Sequence, residues 1–160
     1  MNEFYKSFLV VLMLLSLAEF LIKTNFMSKP KSNNFTMNEF RSKDKTGHVQ
    51  VPLTYWGNLQ KLMNALEVIR KELGNKPIII NSGYRTKSHN SSEDVKGSSN
   101  SQHLTAKACD IRINGVTPNV IYMTIEKLIN EGKIPQGGLG LYRTFVHYDI
   151  RGQRSRWSLV

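Results

Sequence analysis

Apolar residues occur along the chain in one long run and in several shorter periodic stretches. The long run spans residues 8–22, and it is shorter than the roughly 20 residues that a membrane-spanning helix needs. Farther along, five apolar residues recur at the three- and four-residue spacing of a helix that faces a core; they are Leu59, Leu62, Met63, Leu66 and Ile69. This spacing predicts a helix over residues 53–73, ended by Gly74.

The rest of the pattern mixes strands with a second helix. Strands are predicted at 77–82 and at 108–113. Segment 136–142 is predicted to be a glycine-rich turn that leads into a strand, and 144–150 is predicted to be the last strand, which ends at Gly152. The second helix is predicted over 119–131, on Val120, Met123, Ile125, Leu128 and Ile129. The late strands have connections short enough for antiparallel pairing. The pattern therefore predicts an α+β fold, a small antiparallel sheet flanked by helices.

Two polar segments divide the chain. Residues 28–38 contain a proline and indicate a linker, so we predict an N-terminal segment over 1–33 and one folded domain over 34–160. Residues 86–102 are rich in Ser, Asn, Lys and Gly and predict a long loop. A loop of this length inside a compact domain is usually functional or disordered.

The N-terminal run has the features of an export signal or a signal anchor. Lys6 precedes the apolar stretch and Lys23 follows it, but a clean A-x-A cleavage site is missing. The alternative is an amphipathic or untranslated leader, because Met27 and Met37 are internal start candidates. Contact of residues 8–22 with a membrane is expected under the first interpretation.

Composition narrows the function classes only slightly. The net charge is +10, which favours an anionic polymer as partner or simply a solvated basic surface. The basic residues show neither a helical stripe nor interleaved aromatic residues, so nucleic-acid binding is not expected. The lone cysteine, Cys109, excludes an internal disulfide and is expected to be a small buried hydrophobe. We expect a monomer.

Candidate chemistry lies in the last third of the chain. His103 ends the long loop, and Asp110 lies on the following strand. Strand side chains alternate, so Cys109 and Ile111 mark the core face and Asp110 points to a site or to solvent. On the strand at 144–150, His147 and Asp149 share one face. If the two strands pair, these four polar side chains can converge, and histidine nitrogen with carboxylate oxygen suits zinc.

Three motifs occur in order along the domain. They are S-G-Y-R at 82–85, the run from Ser101 through His103 and Ala108 to Asp110, and a glycine-rich turn followed by F-V-H-x-D-x-R-G and R-W, which ends at Trp157. Together with NFTMNEF at 34–40, they resemble the zinc D-alanyl-D-alanine carboxypeptidases of the LAS group. That group also contains murein endopeptidases, phage endolysins and vancomycin-resistance dipeptidases. The resemblance covers about residues 34–160, and three ordered motifs are more specific than one short pattern.

The resemblance implies the hedgehog/D-Ala-D-Ala peptidase fold and one zinc ion per chain, held by His103, Asp110 and His147. It implies that Arg85 binds a substrate carboxylate or the developing oxyanion, with a surface salt bridge as the alternative role. Tyr84, Ser101 and Trp157 are candidates for lining the cleft, with packing or capping as the alternative. His48 and His89 lie outside the motifs and are predicted to be exposed.

The sequence departs from the family pattern at two positions. Ala106 replaces the usual glycine of the turn after His103. Thr144 stands where many relatives place an acidic general base, three residues before the last zinc histidine. Asp149 is therefore predicted as the catalytic general base, with orientation of a zinc-binding histidine as the competing role. Glu93 and Asp94 in the loop are the remaining carboxylates.

The predicted function is zinc-dependent hydrolysis of peptidoglycan stem peptides, by removal of D-alanine or by an internal cut. The alternative is a zinc-containing cell-wall-binding module of the same fold without turnover. A bacterial protein of this kind would be exported or anchored facing the wall. A phage lysis protein would act from within the host cell.

Overall fold

The computed structural model describes residues 3–25, 28–45 and 47–160. Its first helix, α1, spans Glu3–Asn25, and the large apolar side chains from Tyr5 to Leu15 are exposed. None of the helices in the described part of the chain combines enough length and apolar character to cross a membrane. Met27, one of the two internal start candidates, lies outside the described residues. Contact of residues 8–22 with a membrane and the boundary at residue 33 stay predictions.

In the described part of the chain, seven short strands form two sheets. They are β1 Ser42–Asp44, β2 Gly47–Val49, β3 Ile78–Ser82, β4 Ala108–Ile113, β5 Gly138–Tyr142, β6 Val146–Asp149 and β7 Ser155–Leu159. β1 and β2 form an antiparallel hairpin, and the other five strands form one sheet in the order β3-β4-β6-β5-β7. All pairs in the larger sheet are antiparallel except β5 with β7. The predicted α+β fold is confirmed.

The prediction that the strand at 144–150 is the last one was wrong. The chain turns at Gly152, which has a φ of 88°, and continues into β7. β7 pairs in parallel with β5 at the edge of the sheet. Its sequence, SRWSL, carries few apolar residues because an edge strand is only partly covered.

Three further helices complete the domain. They are α2 Trp56–Glu72, α3 Lys87–Ser91 and α4 Pro118–Asn130. A 3-10 turn at Leu53–Tyr55 precedes α2, so the predicted helix over 53–73 is confirmed. α3 lies inside the predicted long loop, and it forms because the Thr86 hydroxyl accepts a hydrogen bond from His89 N at its first turn.

The core lies between helices α2 and α4 and one face of the sheet. Every residue of the stripe predicted on α2 is buried. On α4 the stripe is displaced: Val120 is 49% exposed and Met123 is 59% exposed. The buried set is Ile121, Ile125, Leu128 and Ile129. The prediction was wrong for Val120 and Met123, because a stripe through residues 121, 125 and 128 meets the sheet at helical spacing.

The two faces of β4 and β6 carry different chemistry. Cys109 and Ile111 of β4 and Val146 and Tyr148 of β6 enter the core, as the alternation of side chains predicts. The polar residues between them point to the opposite face and are nevertheless buried. A buried polar cluster on a sheet face requires partners, and this cluster forms the candidate site.

Candidate metal centre

Two strands and one short helix bring His103, Asp110 and His147 together. Asp110 on β4 and His147 on β6 are direct partners across the antiparallel pair. His103 lies in a 3-10 helix, Gln102–Thr105, that leads into β4. Among the described residues they form the one group of potential metal ligands, and all three are buried. The two strands pair, and the convergence of His103, Asp110 and His147 that was expected from such pairing is confirmed.

The turn after His103 has the conformation that the family glycine would favour. Ala106 adopts a left-handed backbone with φ of 54° and ends the 3-10 helix. An alanine in this region is strained by about 1–2 kcal/mol, and its methyl group is buried in the core. The substitution of glycine by alanine therefore leaves the turn in place.

The three potential ligand atoms have the spacing of a small metal site. His103 Nε2 is 3.3 Å from His147 Nδ1 and 3.4 Å from Asp110 Oδ1, and the last two atoms are 2.9 Å apart. A tetrahedral zinc ion with bonds of about 2.0–2.2 Å holds neighbouring ligand atoms about 3.3–3.6 Å apart. Two of the three distances lie in this range and the third is slightly shorter, so the residues fit zinc.

The hydrogen bonds behind the ligands select the ring nitrogen that faces the site. His103 Nδ1 donates to the carbonyl of Gly83 at 2.6 Å, because a carbonyl can only accept. His147 Nε2 donates to Asp149 Oδ2 at 3.0 Å, because an ionised carboxylate also can only accept. In each ring the other nitrogen therefore points to the centre of the cluster. This nitrogen is Nε2 in His103 and Nδ1 in His147. Such outer partners are typical of metal-binding histidines.

Asp149 lies behind His147 and is fully buried. Its Oδ1 accepts hydrogen bonds from Gly138 N, Arg151 N and Arg151 Nε, and its Oδ2 accepts from His147 Nε2 and Arg151 Nη2. Burial by itself would raise the pKa of Asp149, but these hydrogen bonds outweigh it and hold the pKa below its usual value. Asp149 is therefore an ionised, fully partnered carboxylate.

Arg85 lies on the other side of the cluster. Its Nη2 donates to Asp110 Oδ2 at 2.6 Å and its Nε donates to Ser82 Oγ at 2.8 Å. Burial lowers the pKa of Arg85, and the negative charge of Asp110 opposes that shift. The arginine thus orients Asp110 through one carboxylate oxygen while the other oxygen faces the histidines. This is a buried pair, in contrast to the surface salt bridge considered from the sequence.

The two histidines differ in their electrostatics. Burial lowers the pKa of His103, and hydrogen bonding to Asp110 only partly offsets this effect. For His147, burial also acts to lower the pKa, but hydrogen bonds to Asp110 and Asp149 outweigh it and raise the pKa. Asp110 itself has a lowered pKa, because its hydrogen bonds to both rings outweigh the effect of burial. The cluster therefore presents a carboxylate between two histidine rings.

A cavity of about 550 Å³ opens above the cluster. Its floor contains the three potential ligands and Arg85, and the loop from Asp94 to Gln102 forms one side. Tyr142 and Phe145, stacked at 4.3 Å between ring centroids, line it together with Trp157. Tyr142 and Phe145 were not predicted to belong to the site, although the alternation of side chains over residues 144–150 places Phe145 on the same face as His147.

Not all of the other residues singled out from the sequence lie where they were predicted. Ser101 and Trp157 line the cavity. Tyr84 does not: its side chain belongs to the core and its ring centroid is 6.1 Å from that of Tyr55. His48 is exposed, as predicted. The prediction for His89 was wrong, because α3 places it half-buried against β1, where His89 Nδ1 and Ser42 Oγ form a 2.9 Å hydrogen bond.

Of the two carboxylates in the loop, one lines the cavity and the other does not. Asp94 lines the cavity and pairs with Lys45 at 2.9 Å, whereas Glu93 is exposed and is not among the residues that line the cavity. Thr144, at the position where many relatives have an acid, is exposed.

A family model described as peptidase M15 matches residues 33–149. The chain belongs to the peptidase M15 family. This match confirms the resemblance to the D-Ala-D-Ala carboxypeptidases of the LAS type. A comparison with curated proteins finds no match. In this M15 peptidase, the matched span includes the whole His-Asp-His group, and family and group together indicate a metallopeptidase.

Proposed function

We propose that this M15 peptidase uses one zinc ion to hydrolyse peptide bonds in the stem peptides of peptidoglycan. The observation that carries the proposal is the spacing of His103 Nε2, Asp110 Oδ1 and His147 Nδ1 at the floor of a cavity. Catalytic zinc sites use three protein ligands and leave a further position open to substrate. The family supports the substrate class, and both removal of D-alanine and an internal cut agree with it.

A zinc ion held by these residues would polarise the scissile carbonyl and make the attacking water more acidic. Arg85 is the residue that we propose to stabilise negative charge on the substrate. Two of its nitrogens are held by Ser82 and Asp110, and it lines the cavity. Its Nη1 has no hydrogen-bond partner among the described residues, so this nitrogen is available to a substrate carboxylate or to the developing oxyanion.

The role of Asp149 stays a prediction, and its contacts favour the second of the two roles that the sequence allows. A general base needs an oxygen that can approach the attacking water. Both oxygens of Asp149 already accept hydrogen bonds, and the carboxylate has no exposed surface. We therefore propose that Asp149 orients His147 and that Asp94, the loop carboxylate that lines the cavity, is the first residue to test as the base.

The test is turnover of purified peptidoglycan by the zinc-loaded protein, with and without a chelator. Mass spectrometry of the soluble products distinguishes loss of D-alanine from a cut within a stem or cross-link. We expect turnover that the chelator abolishes and added zinc restores. A His103→Ala variant prepared in the same way is the matched control, because it should fold without binding the ion. Turnover that persists in the chelator would contradict a metal-dependent mechanism.

The second candidate function is a zinc-containing module that binds the cell wall without turnover. It is favoured by the absence of an acid at Thr144 together with the complete engagement of Asp149. The same assay separates the two functions. A zinc-loaded protein that sediments with peptidoglycan but releases no peptide would support the binding module.

A further inference from the structure

We propose that Arg151 is a positioning residue for the metal centre. It holds Asp149 so that Asp149 fixes the His147 ring with Nδ1 directed at the metal. This inference rests on the proposed zinc site, and it assigns to Arg151 a role that neither the motif nor the family match specifies. The residues concerned form a continuous series of contacts from Arg151 through Asp149 to His147.

Arg151 binds Asp149 with a two-pronged contact. Its Nε lies 2.9 Å from Oδ1 and 3.0 Å from Oδ2, and its Nη2 lies 2.5 Å from Oδ2. The planar guanidinium group fits the planar carboxylate in this arrangement, which fixes the direction of both groups. Rotation of the carboxylate about its own bond would break these contacts. The orientation of Asp149 is therefore set largely by Arg151.

The direction of Asp149 determines what it does to His147. With the carboxylate held in this orientation, Oδ2 lies 3.0 Å from His147 Nε2 and accepts a hydrogen bond from the N–H group of this nitrogen. Nδ1 of the ring is then directed at His103 Nε2 and Asp110 Oδ1, and a metal ion bound there would replace the proton on this nitrogen. A ring without this partner could turn or exchange tautomers, and its Nδ1 would no longer be available in every molecule.

Gly138, the first residue of β5, provides the space for this pair. A Cβ atom on Gly138 would lie 2.3 Å from Asp149 Oδ2 and 2.9 Å from Arg151 Nη2, so a side chain at this position would displace one of them. Gly138 N also donates to Asp149 Oδ1 at 2.9 Å. The absence of a side chain at Gly138 thus allows both the close approach and one of the hydrogen bonds that hold the carboxylate.

The position of Arg151 distinguishes it from an ordinary structural arginine. Its side chain is 32% exposed and lines the cavity, whereas Asp149 has no exposed surface. Arg151 therefore lies between the cavity and the carboxylate of Asp149. Without Arg151, this buried charge would have fewer hydrogen-bond partners. Among the described residues, the Arg151 side chain donates hydrogen bonds to Asp149 alone, so its effect on the orientation of His147 should pass through Asp149.

The experiment measures the zinc dissociation constant of the full chain by competition with a chromophoric chelator. We expect Arg151→Met to weaken zinc binding by about 10–100-fold, the range typical of lost outer partners of metal ligands. Arg143→Met, at an exposed arginine, removes the same charge and should leave the constant unchanged. In the zinc-loaded protein, the downfield N–H proton signal of His147 Nε2 should be lost in Arg151→Met and kept in Arg143→Met.

A double-mutant cycle with Asp149→Asn tests the path of the effect. If Arg151 acts through Asp149, Arg151→Met in the Asp149→Asn background should cause little further loss. If the fold-loss of zinc affinity in the double variant equals the product of the losses in the two single variants, the inference is overturned. Wild-type zinc affinity together with an unchanged His147 signal in Arg151→Met would also overturn it. Failure of the wild-type chain to bind zinc would instead overturn the proposed function itself.

If Arg151→Met does not fold, Arg151→Lys provides a second variant in which the same two measurements can be made. Lysine retains the positive charge beside Asp149 but lacks the planar fork. We expect a loss of zinc affinity smaller than that of the methionine variant and partial retention of the His147 signal. Full wild-type affinity in Arg151→Lys would mean that charge alone is sufficient, and it would contradict the positioning role.

Discussion

The sheet side of the cavity and its loop side are constructed in different ways. On the sheet side, His103, Asp110 and His147 are buried, and each makes hydrogen bonds that set its direction. On the loop side, residues 92–100 are half-buried or exposed. The loop is tied to α3 mainly by Asn90, whose Nδ2 donates to Ser98 O and whose carbonyl accepts from Gly97 N.

This difference separates two requirements of a metallopeptidase. A metal site needs ligand atoms fixed within fractions of an ångström, and paired strands with buried hydrogen bonds provide such rigidity. A substrate side can be formed by a polar loop, because loops tolerate sequence change and adapt to a ligand. Variants on the sheet side should therefore alter metal binding, and variants on the loop side should alter substrate binding alone.

The largest effect is expected for His103→Ala. Removal of one of three ligands should abolish stoichiometric zinc binding, and the stability that zinc adds to the folded chain should be lost with it. Elemental analysis and thermal unfolding with and without zinc measure both effects. His48→Ala, at an exposed histidine, should retain one zinc per chain. Full zinc occupancy in His103→Ala would show that the ligand set is wrong.

Arg85→Ala should lower turnover strongly while the protein remains folded. Loss of one charged stabiliser of a developing oxyanion typically costs about 2.7–4 kcal/mol, or about 10²–10³ in rate. The measurement is kcat at saturating zinc, because Arg85 also contacts Asp110 and some metal affinity should be lost. Arg85→Lys should restore little, since it lacks the fork. Near-normal kinetics in Arg85→Ala would leave Arg85 with a structural role only.

Asp149→Asn distinguishes the two roles of Asp149. If Asp149 orients His147, the variant should weaken zinc affinity by about 10–100-fold, and added zinc should restore much of the turnover. If Asp149 is the general base, the variant should retain zinc and lose about 10²–10⁴ in rate. The contacts of Asp149 favour the first result. A variant with normal zinc content and no turnover in excess zinc would support the base assignment.

Asn90→Ala addresses the loop side. It removes the bond to Ser98 O and leaves part of the loop without its anchor, an effect of about 1–3 kcal/mol on local structure. We expect a higher KM for peptidoglycan fragments and an unchanged zinc dissociation constant. A weakened zinc site in this variant would mean that the loop and the sheet side are coupled.

The smallest effect is expected from removal of residues 1–26. The apolar side chains that the structure describes in α1 are exposed and do not belong to the core. A chain beginning at Met27 should therefore keep its thermal stability, its zinc and its turnover of soluble fragments. Aggregation of the shortened chain, with the full chain soluble, would show that this segment covers part of the domain.

The sequence predicted the sheet side of the site better than its surroundings. Alternation along β4 and β6 is a local property, so the order of residues alone places Asp110 and His147 opposite the core face of their strands. β7 was missed because it is an edge strand whose sequence, SRWSL, carries few apolar residues. α3 was missed because a helix of five residues carries no periodic stripe. The contact of Arg151 with Asp149 was not predicted, because Arg151 lies beyond the end of β6, where the alternation of strand side chains no longer applies.

Trp157 lies across Gly140, where a Cβ atom would be 2.3 Å from its Cε2 atom. Its ring centroid is 5.1 Å from that of His147. An excited indole loses energy readily to a nearby imidazolium cation, so the emission of Trp157 should respond to the charge state of this ring. The chain contains two tryptophans, and replacing Trp56 by phenylalanine would leave Trp157 as the single emitter. Binding of a metal ion beside His147 could then be followed as a change in the intrinsic fluorescence of Trp157, without any added dye.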